Sequence, residues 1–94
     1  MLNEFGEKVE VLYNKEIKVE RITSFSNTTG YMSDYRDEIV YLLEGMAILE
    51  IEGRDITLKK DDNFLINKNT IHRVKYTSHD CKWLCLFIGS DLWL

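Results

Sequence analysis

Residues 37–74, DEIVYLLEGMAILEIEGRDITLKKDDNFLINKNTIHRV, carry the pattern from which the fold follows. Apolar and polar residues alternate in short runs, the period of an extended chain whose side chains point to opposite faces. EIVYLLEG is apolar on both faces and stops at Gly45. MAILEIEG is predicted to return antiparallel, with Ala47, Leu49 and Ile51 on one face and Glu50 and Glu52 on the other. Gly53–Arg54 turns the chain into DITLKK, and Asp61–Asp62 marks the next turn. DNFLIN then reads as a short strand and NKNT as a further turn. In IHRVKYTS (71–78) the alternation resumes: Ile71, Arg73, Lys75 and Thr77 are predicted to face one way, His72, Val74 and Tyr76 the other.

The flanks continue the theme. Upstream, IKVERITSF (17–25) reads as a strand whose phase shifts at Ile22, the mark of a bulge, and SNTTG (26–30) as a loop. Downstream, SHD turns the chain into CKWLCLFI (81–88), apolar on both faces apart from Lys82. A strand of that kind lies between two sheets or beneath a partner subunit. No strong helix pattern, linker or repeat interrupts the series. The strands and their close turns predict an all-β, antiparallel sandwich or barrel.

Composition narrows the function classes. Ninety-four residues, 45% of them apolar, suit one domain with one core. A chain of this size leaves much surface exposed, so pairing as a homodimer is expected. Its net charge of −4 and the absence of a basic block argue against nucleic acid and membrane surfaces as partners. The N-terminal MLNEFGEKVEVLYNKE has no apolar signal core, and the longest apolar run, 83–88, is too short to span a bilayer. Cys81 and Cys85, four residues apart on one strand, would lie roughly 13 Å apart, beyond disulfide reach. They are read as buried hydrophobes of a cytoplasmic protein.

The opening segment resembles the cupin superfamily. Cupins carry a first motif of two histidines, a glutamate and a later glycine, and a second motif of the type Gly-Asp, then Pro-x-Gly-x-x-His. Here Glu38 precedes Gly45 by seven residues, Asp62 matches the second-motif aspartate, and His72 matches its histidine. The pieces DEIVYLLEGMAILE, TLKKDD, FLIN, HRV, TS and KWLCLFI also resemble a subgroup of short single-domain cupins with a DEWVLLLxG…HRV pattern, over about residues 17–88. The resemblance implies one small jelly-roll barrel across 1–94, with a tail at 89–94. It implies no settled reaction, because one fold hosts many activities.

Departures from the pattern matter as much. The two histidines expected before Glu38 are absent; Tyr31-Met32-Ser33-Asp34 occupies that window. Asp61 stands for the second motif's first glycine, Asn67 for its proline and Asn69 for its second glycine. Asparagine tolerates the left-handed backbone that glycine supplies, so the turn is expected to survive.

Glu38 and His72 are therefore either ligands of a divalent metal (Mn, Fe, Ni or Zn), or a hydrogen-bonded pair lining a pocket. A metal site wants three or four converging donors, which Asp34 or Tyr31 would have to complete. The pocket-lining reading is preferred: a small molecule held in the lumen near Glu38, His72 and Tyr76. The alternative is a metal-dependent dioxygenase or isomerase. His79 is expected to be solvated, and Trp83 and the DLWL end (91–94) to pack, the latter against a second copy.

Overall fold

The computed structural model describes residues 2–89 and forms a strand from each alternating run. In chain order these are β1 (Lys8–Asn14), β2 (Ile17–Ser24), β3 (Asp37–Glu44), β4 (Met46–Ile51), β5 (Arg54–Lys59), β6 (Asn63–Ile66), β7 (His72–Thr77) and β8 (Cys81–Ile88). Five strands make one sheet in the order β1-β2-β8-β3-β6, and three make the other, β5-β4-β7. Every strand pairing is antiparallel. No helix occurs among the described residues.

The smaller sheet gains a fourth, irregular member from the loop before β3. Thr29 N–H donates to the Val74 carbonyl at 2.9 Å, and Val74 N–H donates to Thr29 Oγ1 at 2.9 Å. Met32 and His72 exchange both backbone bonds, at 2.8 and 2.9 Å. This loop covers the β7 edge and completes a jelly roll of two facing sheets. Between them lie Val40, Leu42, Ile66, Trp83 and Cys85 from the larger sheet and Ala47, Leu49 and Leu58 from the smaller. Burying each leucine there contributes about 1.5–3 kcal/mol.

The second-motif turns survive the loss of their glycines. Asp61 and Asn69 both take the left-handed backbone, at φ 72° and 60°, as the short polar side chain of each permits. Cys81 and Cys85 are free and buried, Trp83 is in the core, and His79 is exposed beside Asp80. The DLWL end lies outside the described residues.

Three expectations need correction. First, β4 does not pair with β3. Gly45, at φ 88°, is the only residue between them, too few for a two-residue hairpin, so the chain turns a corner into the other sheet. Second, β2 has no bulge: it pairs with β8 without a shift from Ile17↔Ile88 to Ser24↔Cys81. Ile22 and Ser24 face inward and Ile17 and Val19 outward throughout, and the irregularity sits in β1, between Val11 and Tyr13. Third, β7 is itself bulged. Leu49 pairs with Val74 but Ile48 pairs with Tyr76, leaving Lys75 as the extra residue. The bulge reverses the phase, burying Thr77 completely and leaving Tyr76 46% exposed. Tyr76 therefore does not line the lumen.

Candidate functional site

Glu38 enters the lumen from the start of β3, opposite Ile66 on one neighbour and Phe87 on the other. His72 enters from the first position of β7, where its backbone is held by Met32. They are 9% and 4% exposed. His72 Nε2 lies 3.6 Å from Glu38 Oε1, close enough for electrostatic coupling but too long for a hydrogen bond. The pair expected from the sequence is thus brought together without being directly bonded.

The histidine's tautomer is fixed by its other nitrogen. Nδ1 lies 2.9 Å from the Thr70 carbonyl, which can only accept, so Nδ1 carries the proton. In the neutral ring, Nε2 then presents a lone pair toward Glu38. Burial, the largest influence, pushes the Glu38 carboxyl up to about 7 from 4.5. A hydrogen bond from the Cys85 thiol pulls it partly back, while the charges of Asp34 and Glu20 add to the rise. The Cys85 thiol is itself raised well above 9, by burial first and then by its acidic neighbours, Glu38 foremost. It stays a protonated donor at neutral pH.

A third ionisable group completes the arrangement, and the sequence reading missed it. Asn3 Oδ1 accepts from the backbone N–H of Phe5 at 3.0 Å and of Glu7 at 2.9 Å. Gly6 takes φ 81° within this turn. The loop thereby presses Glu7, 6% exposed, into the barrel. There Glu7 Oε2 accepts from Ser24 Oγ at 3.1 Å, Ser24 Oγ accepts from Trp83 Nε1 at 3.1 Å, and Asn3 Nδ2 donates to Glu7 Oε1 at 3.1 Å. These bonds let the carboxylate stay buried.

Two chambers meet at these groups. The inner one, about 60 Å³, lies against Val40, Leu49, Ile66 and Val74. The outer one, about 260 Å³, opens past Phe5, Glu20, Asp34 and Phe87. Glu7, Glu38 and His72 line both chambers together with Ile22 and Met32, so three polar and two apolar residues form the neck between them. The outer volume falls just below the roughly 300 Å³ at which sites for drug-sized molecules begin.

The other sequence candidates divide. Asp34 lines the outer chamber, but its carboxylate is occupied by Arg36, with bonds of 3.0 and 3.2 Å. Burial works to raise the Asp34 carboxyl, yet the Arg36 hydrogen bonds and charge outweigh it and hold the group below its usual range. Tyr31 is 59% exposed and donates to Glu50 at 2.7 Å. Neither Tyr31 nor Tyr76 lines either chamber.

These residues do not fit a resident divalent metal. Glu38 and His72 supply two donors, Asp34 is engaged by Arg36, and Glu7 by Asn3 and Ser24. Among the described residues no group of three or more His, Cys, Asp or Glu side chains is placed to hold a metal ion.

A family model described as the cupin domain matches residues 28–87. The chain is a member of the cupin family. No curated protein matches this cupin. Among solved structures, it superposes on a protein provisionally assigned as a mannose-6-phosphate isomerase from Ralstonia eutropha JMP134, with a TM-score of 0.86, 22% identity, and 96% of this chain covering 91% of that one. KdgF from a Halomonas species gives a TM-score of 0.82 at 20% identity, covering 93% of this chain and 83% of that one. An RmlC-like cupin from Shewanella frigidimarina NCIMB 400 gives 0.82 at 16% identity, covering 96% and 82%. At these identities the likeness is one of fold.

Ser24 and Glu7 escaped sequence reading because polar residues on a strand or before it are read as outward-facing. The Asn3…Gly6 spacing is a turn signal, but it does not say where the turn docks. Cys85 could be placed in the core from its strand, and only its pairing with β3 puts the thiol on Glu38.

Proposed function

We propose that this cupin binds a small polar metabolite in its lumen, with Glu38 and His72 as the polar contacts. The observation that carries this reading is the neck: a buried carboxyl and a fixed Nε2 lone pair converge between an apolar inner chamber and an open outer one. A hydroxyl or carbonyl group of the ligand reaches the pair, where a protonated Glu38 donates and His72 Nε2 accepts, while apolar carbons sit against Val40 and Val74. A ligand smaller than drug size follows from the outer volume. The metal-dependent dioxygenase or isomerase reading has less support, since only two donors converge.

The test is thermal shift against polyols, sugars, hydroxy acids and amines, with Mn, Fe, Ni and Zn salts as separate arms. A class that raises the melting temperature of the wild type and of Tyr76→Phe, but not of His72→Gln, supports the proposal. Stabilisation by a metal alone, lost in His72→Gln, would instead favour the metal-dependent reading. No response to any organic class, from a folded protein, overturns the proposal.

A further inference from the structure

The lumen holds more carboxyls than it holds counter-charges. Glu7, Glu20, Asp34 and Glu38 line the outer chamber, and among the described residues no lysine or arginine lines either chamber. Two of the four are neutralised from outside: Asp34 lies 3.0 Å from Arg36 Nε and Glu20 3.2 Å from Lys18 Nζ. Glu7, 6% exposed, is held only by neutral side-chain donors, Asn3 Nδ2 and Ser24 Oγ, each at 3.1 Å. Each of its oxygens therefore accepts one such bond and keeps a second lone pair. A buried carboxylate without a cation beside it is costly, and a cationic ligand would offset that cost.

His72 independently marks the same place as a ligand site. It is 4% exposed and donates from Nδ1 to the Thr70 carbonyl. Its Nε2 lies in the neck with no hydrogen bond among the described residues, 3.6 Å from Glu38 Oε1. The neck thus presents an unpartnered acceptor beside a carboxylate that lacks a cation, and both call for donors.

We propose that the ligand is a small hydroxylated organic cation, whose protonated amine sits on the Glu7 carboxylate while its hydroxyl meets Glu38 and His72. This rests on the lumen reading above and adds the ligand's charge and the residue that selects it. An ammonium group donates up to three hydrogen bonds and accepts none, which suits the free lone pairs of Glu7. Carbons next to the amine lie against Phe5, Val9 and Ile22. A carboxylate or phosphate ligand would meet four carboxyls and no basic side chain, and a neutral polyol would leave Glu7 without a counter-charge. A bare divalent ion lacks the three converging side chains it needs among the described residues.

Calorimetric titration with matched compounds at neutral pH tests the proposal. Isopropanolamine, propylene glycol and lactate share one frame and are cationic, neutral and anionic; glucosamine, glucose and glucuronate repeat the series at larger size. In at least one series the amine should bind about tenfold or more tightly than its neutral counterpart. Glu7→Gln should abolish that preference, and Glu44→Gln, the same change of charge outside the lumen, should keep it. If Glu7→Gln fails to fold, the carboxyl-carbon NMR signal of Glu7 in the wild type takes its place, and should shift with the amine but not with the neutral compound. A neutral or anionic member that binds at least as well as the amine in both series overturns the cation inference and leaves the lumen reading standing. An amine preference that survives in Glu7→Gln, or that leaves the Glu7 signal unmoved, overturns the role of Glu7. No binding by any of the six overturns the inference, and the lumen reading falls with it only if the wider organic panel is silent too.

Discussion

Glu38→Gln removes a buried carboxyl whose ionisation the fold opposes, and its effect is set by pH. Burial holds this group at about 7 in the folded chain against 4.5 for an ordinary carboxyl. Between those values the folded state binds more protons than the unfolded state, so stability falls as pH rises from 4.5 and levels off above 7. Each pH unit is worth about 1.4 kcal/mol, so the whole interval amounts to about 3 kcal/mol. Glutamine has no such titration. The variant should therefore match the wild type most closely near pH 4.5 and gain on it by about 3 kcal/mol at pH 8.

Urea unfolding of both proteins at pH 4.5, 6 and 8 measures this directly. Both proteins are measured at the same concentration, because the apparent stability of any self-associating chain depends on it. With a slope of about 1–2 kcal/mol per M, the gain at pH 8 amounts to roughly 2 M in midpoint. A stability difference between the two proteins that is constant across pH, or that favours the wild type at pH 8, would refute the claim that burial dominates at Glu38.

Two further predictions concern the backbone. Gly45→Ala should destabilise far more than Gly53→Ala: both sites have φ above 80°, but only at Gly45 would the added carbon fall 2.4 Å from Ser78 Oγ and 3.2 Å from Cys81 Cα. Gly53→Ala should cost about 1–2 kcal/mol from the backbone alone; equal melting temperatures for the two variants would count against the corner geometry. At Asn69, φ 60°, substitution by glycine should leave stability within about 1 kcal/mol of the wild type, whereas valine should cost about 1–2 kcal/mol or more, read by thermal unfolding. A neutral Asn69→Val would show that the turn does not need the left-handed residue.

Much of this molecule was legible in the sequence because its strands obey a period of two. The alternation in 46–51 and 54–59 places Ala47, Leu49 and Leu58 in the core without further information, and the turns at Gly53, Asp61 and Asn69 fall where their residue types allow a positive φ. Glu38 and His72 could be named from motif positions, and the fold brings them to 3.6 Å. Reading by period failed at Tyr76, because a single bulged residue at Lys75 reverses every later side chain on β7. It gave no role to Glu20 or Ser24, because nothing in a polar residue on a strand marks it as facing inward.

Sequence alone thus determined the class of fold and the turns, since each depends on neighbours within a few positions along the chain, while Glu38 and His72 were named by the resemblance to cupins. Tertiary structure decided the rest. Glu7 becomes a lumen residue only because Ser24 and Trp83, distant in sequence, meet it there. Cys85 comes to Glu38 only because β8 lies beside β3 in the larger sheet. Pairing between distant strands is not a local property, so no local pattern could announce it.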